Sequence, residues 1–294
     1  MGNELEILIH LLEDPDPEVH ASLYSRILAK GKDILPELEK ASLDAASSEH
    51  FDRINKIIKE LRFQDVKEKL SAWIKSDKPD LLEGILIISM LVEPDTSPLK
   101  ARDLIKKLKN EIWLELNIRL TALEKVLILN HFLFKKNDFR PDPSKVNSIR
   151  DYSFNSFLSV RSGNNLMIHL FYAVISRQLA LPVYGVDLPG VFLLSYIDDP
   201  IPEISHQPSG SPTLFLIHPA EKGRVFGIEE FQNFLSSSYP SFIRDKILPC
   251  SDVHLLKTYV TELLKTSRLA GRKELENKFS ELLKLWLPEG KAVN

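Results

Sequence analysis

Apolar residues recur at helical spacing through the first half of the chain and alternate at strand spacing only later. Leu8, Ile9, Leu11 and Leu12 precede the polar run Glu13-Asp-Pro-Asp-Pro17-Glu18, and Val19, Leu23, Ile27 and Leu28 follow it. This spacing predicts two amphipathic helices that meet at an Asp-Pro turn. Pro17 suits the first position of the second helix, where its missing N–H costs nothing and its φ is already helical. Similar spacing predicts further helices over 49–62, 64–75, 79–92, 98–112 and 119–136.

The texture changes at Lys136, where Asn-Asp-Phe-Arg-Pro-Asp-Pro-Ser runs polar and proline-rich, as a connection should. From Asn165 to Leu179 the chain is apolar on almost every face, which predicts a helix buried on all sides. Short β-branched and aromatic runs follow at 183–186, 191–197 and 213–217, with 224–228 a weaker fourth, and read as an antiparallel meander. A loop carrying four prolines separates the second and third runs. The last helices fall at 252–267 and 272–287. The fold class is therefore α+β, predominantly α, with a buried helix set against a small antiparallel sheet. Four segments follow: a helical 1–78, a helical bundle over 79–140, the mixed core over 141–245, and a helical pair over 246–294. The opening pair of helices resembles a HEAT-type hairpin.

Composition narrows the function classes. The chain has 294 residues, 44% hydrophobic and 27% charged, enough to fill a sizeable core. Its 38 basic and 41 acidic residues leave a net charge of -3 with no dense basic patch, so nucleic acid is not expected as a partner. Lys106, Lys107 and Lys109 with Arg102 read as a solvated helical face. No run is apolar and long enough for a membrane span, and Met1-Gly-Asn-Glu-Leu-Glu lacks the positive start of a signal peptide. A cytoplasmic protein without a membrane partner is expected. The single Cys250 excludes an intrachain disulfide and any zinc site built from several thiolates, and no metal or other cofactor is expected.

The richest signal starts at Arg161-Ser-Gly163-Asn-Asn165, passes through the apolar helix, and reaches Leu179-Ala-Leu-Pro182-Val-Tyr-Gly185-Val. This resembles the transglutaminase-like superfamily, whose core opens on Arg-x-Gly-x-Cys at a helix start and ends on a Leu-Gly-Ile-Pro-like turn. Leu129-Asn-His-Phe-Leu-Phe134, Asn137-Asp-Phe139, Phe154-Asn-Ser-Phe157-Leu158 and Gly185-Val-Asp-Leu-Pro189-Gly190-Val191-Phe192-Leu193 resemble its bacterial SirB-type branch, in that order. The resemblance runs from about Pro79 to Leu287.

In active members of the superfamily a Cys at the helix start is the nucleophile, a strand His is the base and an Asp from the next strand orients it. The resemblance sets Asn165 at the nucleophile position, Val191 at the base position within Pro189-Gly190-Val191-Phe192, and His218 at the orienting position within Ile217-His218-Pro219. An amide offers no thiol and valine accepts no proton. The implied catalytic set is thus empty.

His169 lies four residues after Asn165 on the same helix face. With His218 the three would form an Asn-His-His cleft able to take a metal or a polar ligand. The alternative is a core histidine bonded to backbone and a strand-end histidine. Arg161 either bonds nearby carbonyls or binds an anion, and Gly163 allows the tight turn into the helix. Cys250 and His254 share a spacing that suits a thiol-imidazole pair, against a packing cysteine just before a helix capped by Ser251 or Asp252. Phe226, Phe231, Phe234, Tyr239 and Phe242 read as packing of a short helix on the sheet. The expected function is that of a non-catalytic scaffold or protein-interaction module with another protein as partner. The alternative is a hydrolase or small-ligand-binding protein that reuses the cleft of Arg161, Asn165, His169 and His218.

Overall fold

The computed structural model describes residues 2–14, 16–45, 47–94, 96–186, 192–197, 213–231, 233 and 249–287. Val191, the proline-rich loop 198–212, Phe234, Tyr239 and Phe242 lie outside the described residues. The chain divides into two compact units, Met1–Ala72 and Trp73–Asn294.

In the first unit, α1 (Gly2–His10) and a short 3-10 turn lead through the Asp-Pro turn into α2 (Pro17–Leu28). The Asp16 carboxylate caps α2 by accepting the Glu18 N–H at 2.8 Å. α3 (Leu35–Leu43), which the apolar spacing did not single out, follows. α4 (Ser48–Ile74) is one helix where a break was expected at residue 63. No Pro or Gly interrupts it, and Ile54, Ile57, Ile58, Leu61, Val66 and Leu70 continue one buried stripe through the expected break. Leu5, Leu8, Leu12, Leu23, Ile27, Leu38 and the first four of those residues form one core. The Arg53 guanidinium donates to the Leu12 and Asp14 carbonyls and so closes the Asp-Pro turn.

The second unit contains α5 (Leu81–Val92), α6 (Pro98–Trp113) and α7 (Ala122–Asn130), the last opened by a Thr121–Glu124 capping box. α7 passes into a π-helical turn, His131–Lys136, in which the Asn137 N–H reaches the Phe132 carbonyl at 3.0 Å. Arg102 grips Glu83 through two bonds of 2.8 and 2.7 Å, so this member of the basic face of α6 is paired.

Next come β1 (Arg140–Pro141), α8 (Phe154–Val160), β2 (Ser162–Gly163) and α9 (Asn165–Gln178). The sheet strands are β3 (Val183–Val186), β4 (Leu194–Ile197), β5 (Thr213–His218), β6 (Arg224–Phe226) and β7 (Pro249–Cys250). They pair antiparallel in the order β6-β5-β4-β3-β7. Four of these strands match the apolar runs, although β4 begins at Leu194 and not earlier. β7 has only two residues and carries no alternation to read. α10 (Asp252–Leu269) and α11 (Lys273–Leu283) close the chain. Helices around a small antiparallel sheet make this an α+β fold, predominantly α, as the sequence indicated.

α9 is the centre of this unit. Every residue from Leu166 to Ser176 is buried, because α5, α6, α8, β1 to β3 and the turn after β5 surround it. The aromatic residues of the motifs pack beside it, with Phe139 4.2 Å and Phe157 5.3 Å from the Phe171 ring, centroid to centroid. Phe226 and Phe231 pack with Val186, Leu193 and Leu216 on the sheet. A polar knot ties α9 to two other elements. The Tyr172 hydroxyl, wholly buried, donates to Asn130 Oδ1 at 2.9 Å, and Asn130 Nδ2 donates to the Gly223 carbonyl at 2.7 Å. Arg177, at the other end, bonds both Asp252 oxygens and the Val183 carbonyl and stacks 4.0 Å above the Tyr184 ring.

Candidate functional site

The segment that starts α9 is held from both sides. Arg161 ends α8 in the left-handed conformation at φ 57°, and β2 pairs parallel with β1 through Arg140↔Ser162 and Pro141↔Gly163. The Arg161 side chain is exposed, donates to the Asn137 carbonyl at 3.0 Å and lies over the Phe139 ring, so it does bond a nearby carbonyl. Gly163 has ordinary φ. It is needed because a Cβ there would lie 2.6 Å from the Phe157 ring of α8 and 3.1 Å from Met167 Cβ in the helix that follows.

Asn164, which the motif reading passed over, is the residue that starts the helix. Its Oδ1 accepts the Met167 N–H at 3.0 Å, while its Nδ2 donates to the Lys145 and Asp151 carbonyls at 3.0 and 3.1 Å. Asn before an apolar helix is an N-cap signal that could have found it. Asn164→Ala removes the cap and strands two carbonyls in a site that is 2% exposed. A loss of about 2–3 kcal/mol in urea unfolding is expected, with α9 itself retained in circular dichroism.

Asn165 is therefore the first residue of α9, half-buried, with no hydrogen-bond partner on its buried Oδ1. One turn on, His169 is 2% exposed. Burial pushes its pKa down to about 3, and a hydrogen bond to the Phe192 backbone only partly opposes this. The imidazole is neutral at physiological pH. Its Nδ1 has no hydrogen-bond partner, and its ring lies 5.9 Å from the Phe192 ring, centroid to centroid.

His218 ends β5 beside this point. Leu194 pairs with Ile217 in the β4–β5 ladder, so Leu193 and Phe192 run past His218 on the neighbouring strand. The two imidazoles are close enough that a charge on His218 would lower the pKa of His169 further. His218 is also held below its ordinary value, chiefly by burial, although the Glu221 carboxylate 4.0 Å from Nε2 works the other way. Its Nδ1 too is buried without a partner. Asn165 and His169 share a face of α9, His218 lies near enough to His169 for its charge to act there, and Arg161 stays on the surface at Asn137. Val191 lies outside the described residues. Sequence reading missed Phe192 as the backbone partner of His169 and Glu221 as the carboxylate facing His218, because neither role has a motif.

Cys250, the single thiol, is buried in β7 opposite Gly185. Ser251 caps α10, accepting the His254 N–H at 3.2 Å. A concavity lies along α7, the π-helical turn and the β5–β6 turn. This groove of about 460 Å³ has Leu123, Leu127 and Phe134 along it and Lys135, Glu221, Lys222 and Arg224 at its edges. Among the described residues no helix is long and apolar enough to cross a membrane.

No curated protein and no solved structure matches the chain. The family model described as the transglutaminase-like superfamily matches residues 100–256, which run from α6 through α9 and the sheet into α10 and make up more than half of the sequence. With that match laid over the capped, buried α9 and its antiparallel sheet, the chain belongs to the transglutaminase-like superfamily.

Proposed function

We propose that the chain is a non-catalytic, SirB-type member of this superfamily that works as a protein-interaction module. The observation that carries the reading is the start of α9, where Asn165 heads the helix and the only thiol of the chain is buried in β7. A helix start favours a thiolate when a thiol stands there. An amide gains nothing comparable from it. In triad hydrolases the loss of nucleophile or base lowers the rate on the order of 10⁴ to 10⁶.

The groove beside α7 is the surface that supports the interaction reading. Leu123 and Leu127 are one turn apart and 46% and 55% exposed. Lys135, Lys222 and Arg224 stand around them with Glu221 in the lining, and Glu230 lies 3.6 Å from Arg224. An apolar stripe under a basic rim fits an acidic amphipathic segment of a partner protein.

A photo-crosslinking side chain placed at Leu127 tests this in a lysate of the native cells, with the same group at Leu269, 88% exposed and far along α10, as control. The expected result is one partner crosslinked from Leu127 only. The purified partner should then bind at least tenfold more weakly to Lys135→Glu/Lys222→Glu, and more weakly in high salt. Undiminished binding by the charge-reversed variant overturns the groove assignment. Amide hydrolysis by the wild type that disappears in Asn165→Ala overturns the non-catalytic reading.

A further inference from the structure

Buried polar side-chain atoms without a partner are few in folded proteins and call for a reason. Three of them are Asn165 Oδ1 and His169 Nδ1, one turn apart at the start of α9, and His218 Nδ1, at the end of β5, whose following turn packs on α9. All three can present a lone pair, and none faces a donor. The His169 ring lies 5.9 Å from the Phe192 ring, centroid to centroid, and the Glu221 carboxylate lies 4.0 Å from His218 Nε2. Neutral imidazole with a free ring nitrogen is a common metal ligand.

We propose that Asn165, His169 and His218 form a binding site for one divalent transition-metal ion, with two imidazole nitrogens and one amide oxygen as protein ligands. Imidazole nitrogens with an oxygen donor suit zinc, cobalt, nickel and copper better than calcium or magnesium. Among the described residues no three His, Cys, Asp or Glu side chains converge to hold a metal, so the site depends on the amide as its third donor. Solvent completes the coordination. The His218 side chain is 25% exposed and Asn165 is half-buried, whereas His169 is 2% exposed. The positive end of α9 opposes a cation at Asn165, and an acidic residue there reverses that opposition. The inference does not depend on the groove beside α7, and metal binding and partner capture fail separately.

The test is titration of chelator-treated full-length protein with Zn²⁺ alone by calorimetry, and with Co²⁺ alone by visible absorption. One equivalent should bind, and cobalt should show the intense bands of a low-symmetry site with imidazole ligands. His169→Gln and His218→Gln should each weaken Zn²⁺ binding by at least about 100-fold, and Glu221→Gln by about tenfold. Asn165→Asp should tighten it by at least about tenfold, through an anionic oxygen at a helix start that welcomes one. His169 is deep in the core, so His218→Gln and Asn165→Asp carry the test if His169→Gln does not fold. No stoichiometric binding by the wild type overturns the site. So does binding that His218→Gln and Asn165→Asp leave unchanged, since the ion would then sit on other histidines.

Discussion

As the pH falls from about 6.5 towards 3, the protein is expected to lose roughly 5 kcal/mol of stability through one imidazole, that of His169. In the unfolded chain this ring takes a proton near its ordinary value of 6.5, but in the fold it stays neutral until about 3, because it is wholly buried. Between those values the unfolded state binds a proton that the native state does not, so acid favours unfolding. Above 6.5 both states are neutral and the contribution is complete. Below 3 both are charged and the loss is finished. The slope from this group approaches about 1.4 kcal/mol per pH unit in the middle of the window. His218, also held below its ordinary value, adds in the same direction. The depressed carboxylates, such as Asp65 and Glu83, act mainly below pH 4 and act equally in a variant. Urea unfolding of wild type and His169→Gln from pH 7 to 4, with a chelator present, should therefore give a steep and a shallow pH dependence respectively. Equal slopes would mean that the folded state accommodates the protonated ring.

Gly223→Ala should be the most damaging small substitution in the sheet region. Gly223 has φ +74°, and a Cβ built there lies 1.9 Å from Asn130 Oδ1. The backbone conformation alone costs a residue with a side chain roughly 1–2 kcal/mol. The clash is the larger part, since Asn130 cannot move without releasing the Tyr172 hydroxyl into a wholly buried site. An unsatisfied buried hydroxyl costs about 1–3 kcal/mol, so a total of about 3–5 kcal/mol is expected. A double-mutant cycle with Asn130→Ala checks the mechanism. Asn130→Ala already loses the knot, so adding Gly223→Ala to it should cost little more than the backbone term. A full additional loss would place the damage elsewhere.

These two residues show how differently the site and the fold were written in the chain. Helices α5 and α6 and the apolar α9 were legible because burial repeats at a fixed spacing, and α9 ended within one residue of its expected limit. A break expected at residue 63 of α4 is absent, since only a Pro, a Gly or a change of stripe would end a helix there. β7 was missed because two residues have no period. At the site, Arg161 and Asn165 were picked out by the transglutaminase-like resemblance, and His169 by its place one turn after Asn165. Asn164 was overlooked beside Asn165, although it is the Asn that caps.

Local pattern by itself determined most of the helices and four of the strands, that α9 is buried all round, and that the chain has one thiol and an Asn at that helix start. Those properties depend on neighbours in sequence and on residue identity. Only the tertiary structure decided that Arg161 turns to Asn137 at the surface, that His169 bonds the Phe192 backbone, and that Glu221 faces His218. It alone left Asn165, His169 and His218 each with a buried atom that has no partner. Each of these depends on which distant backbone or side chain comes within about 3–4 Å, and hydrogen bonding and desolvation are set at that range with no period along the chain to announce them.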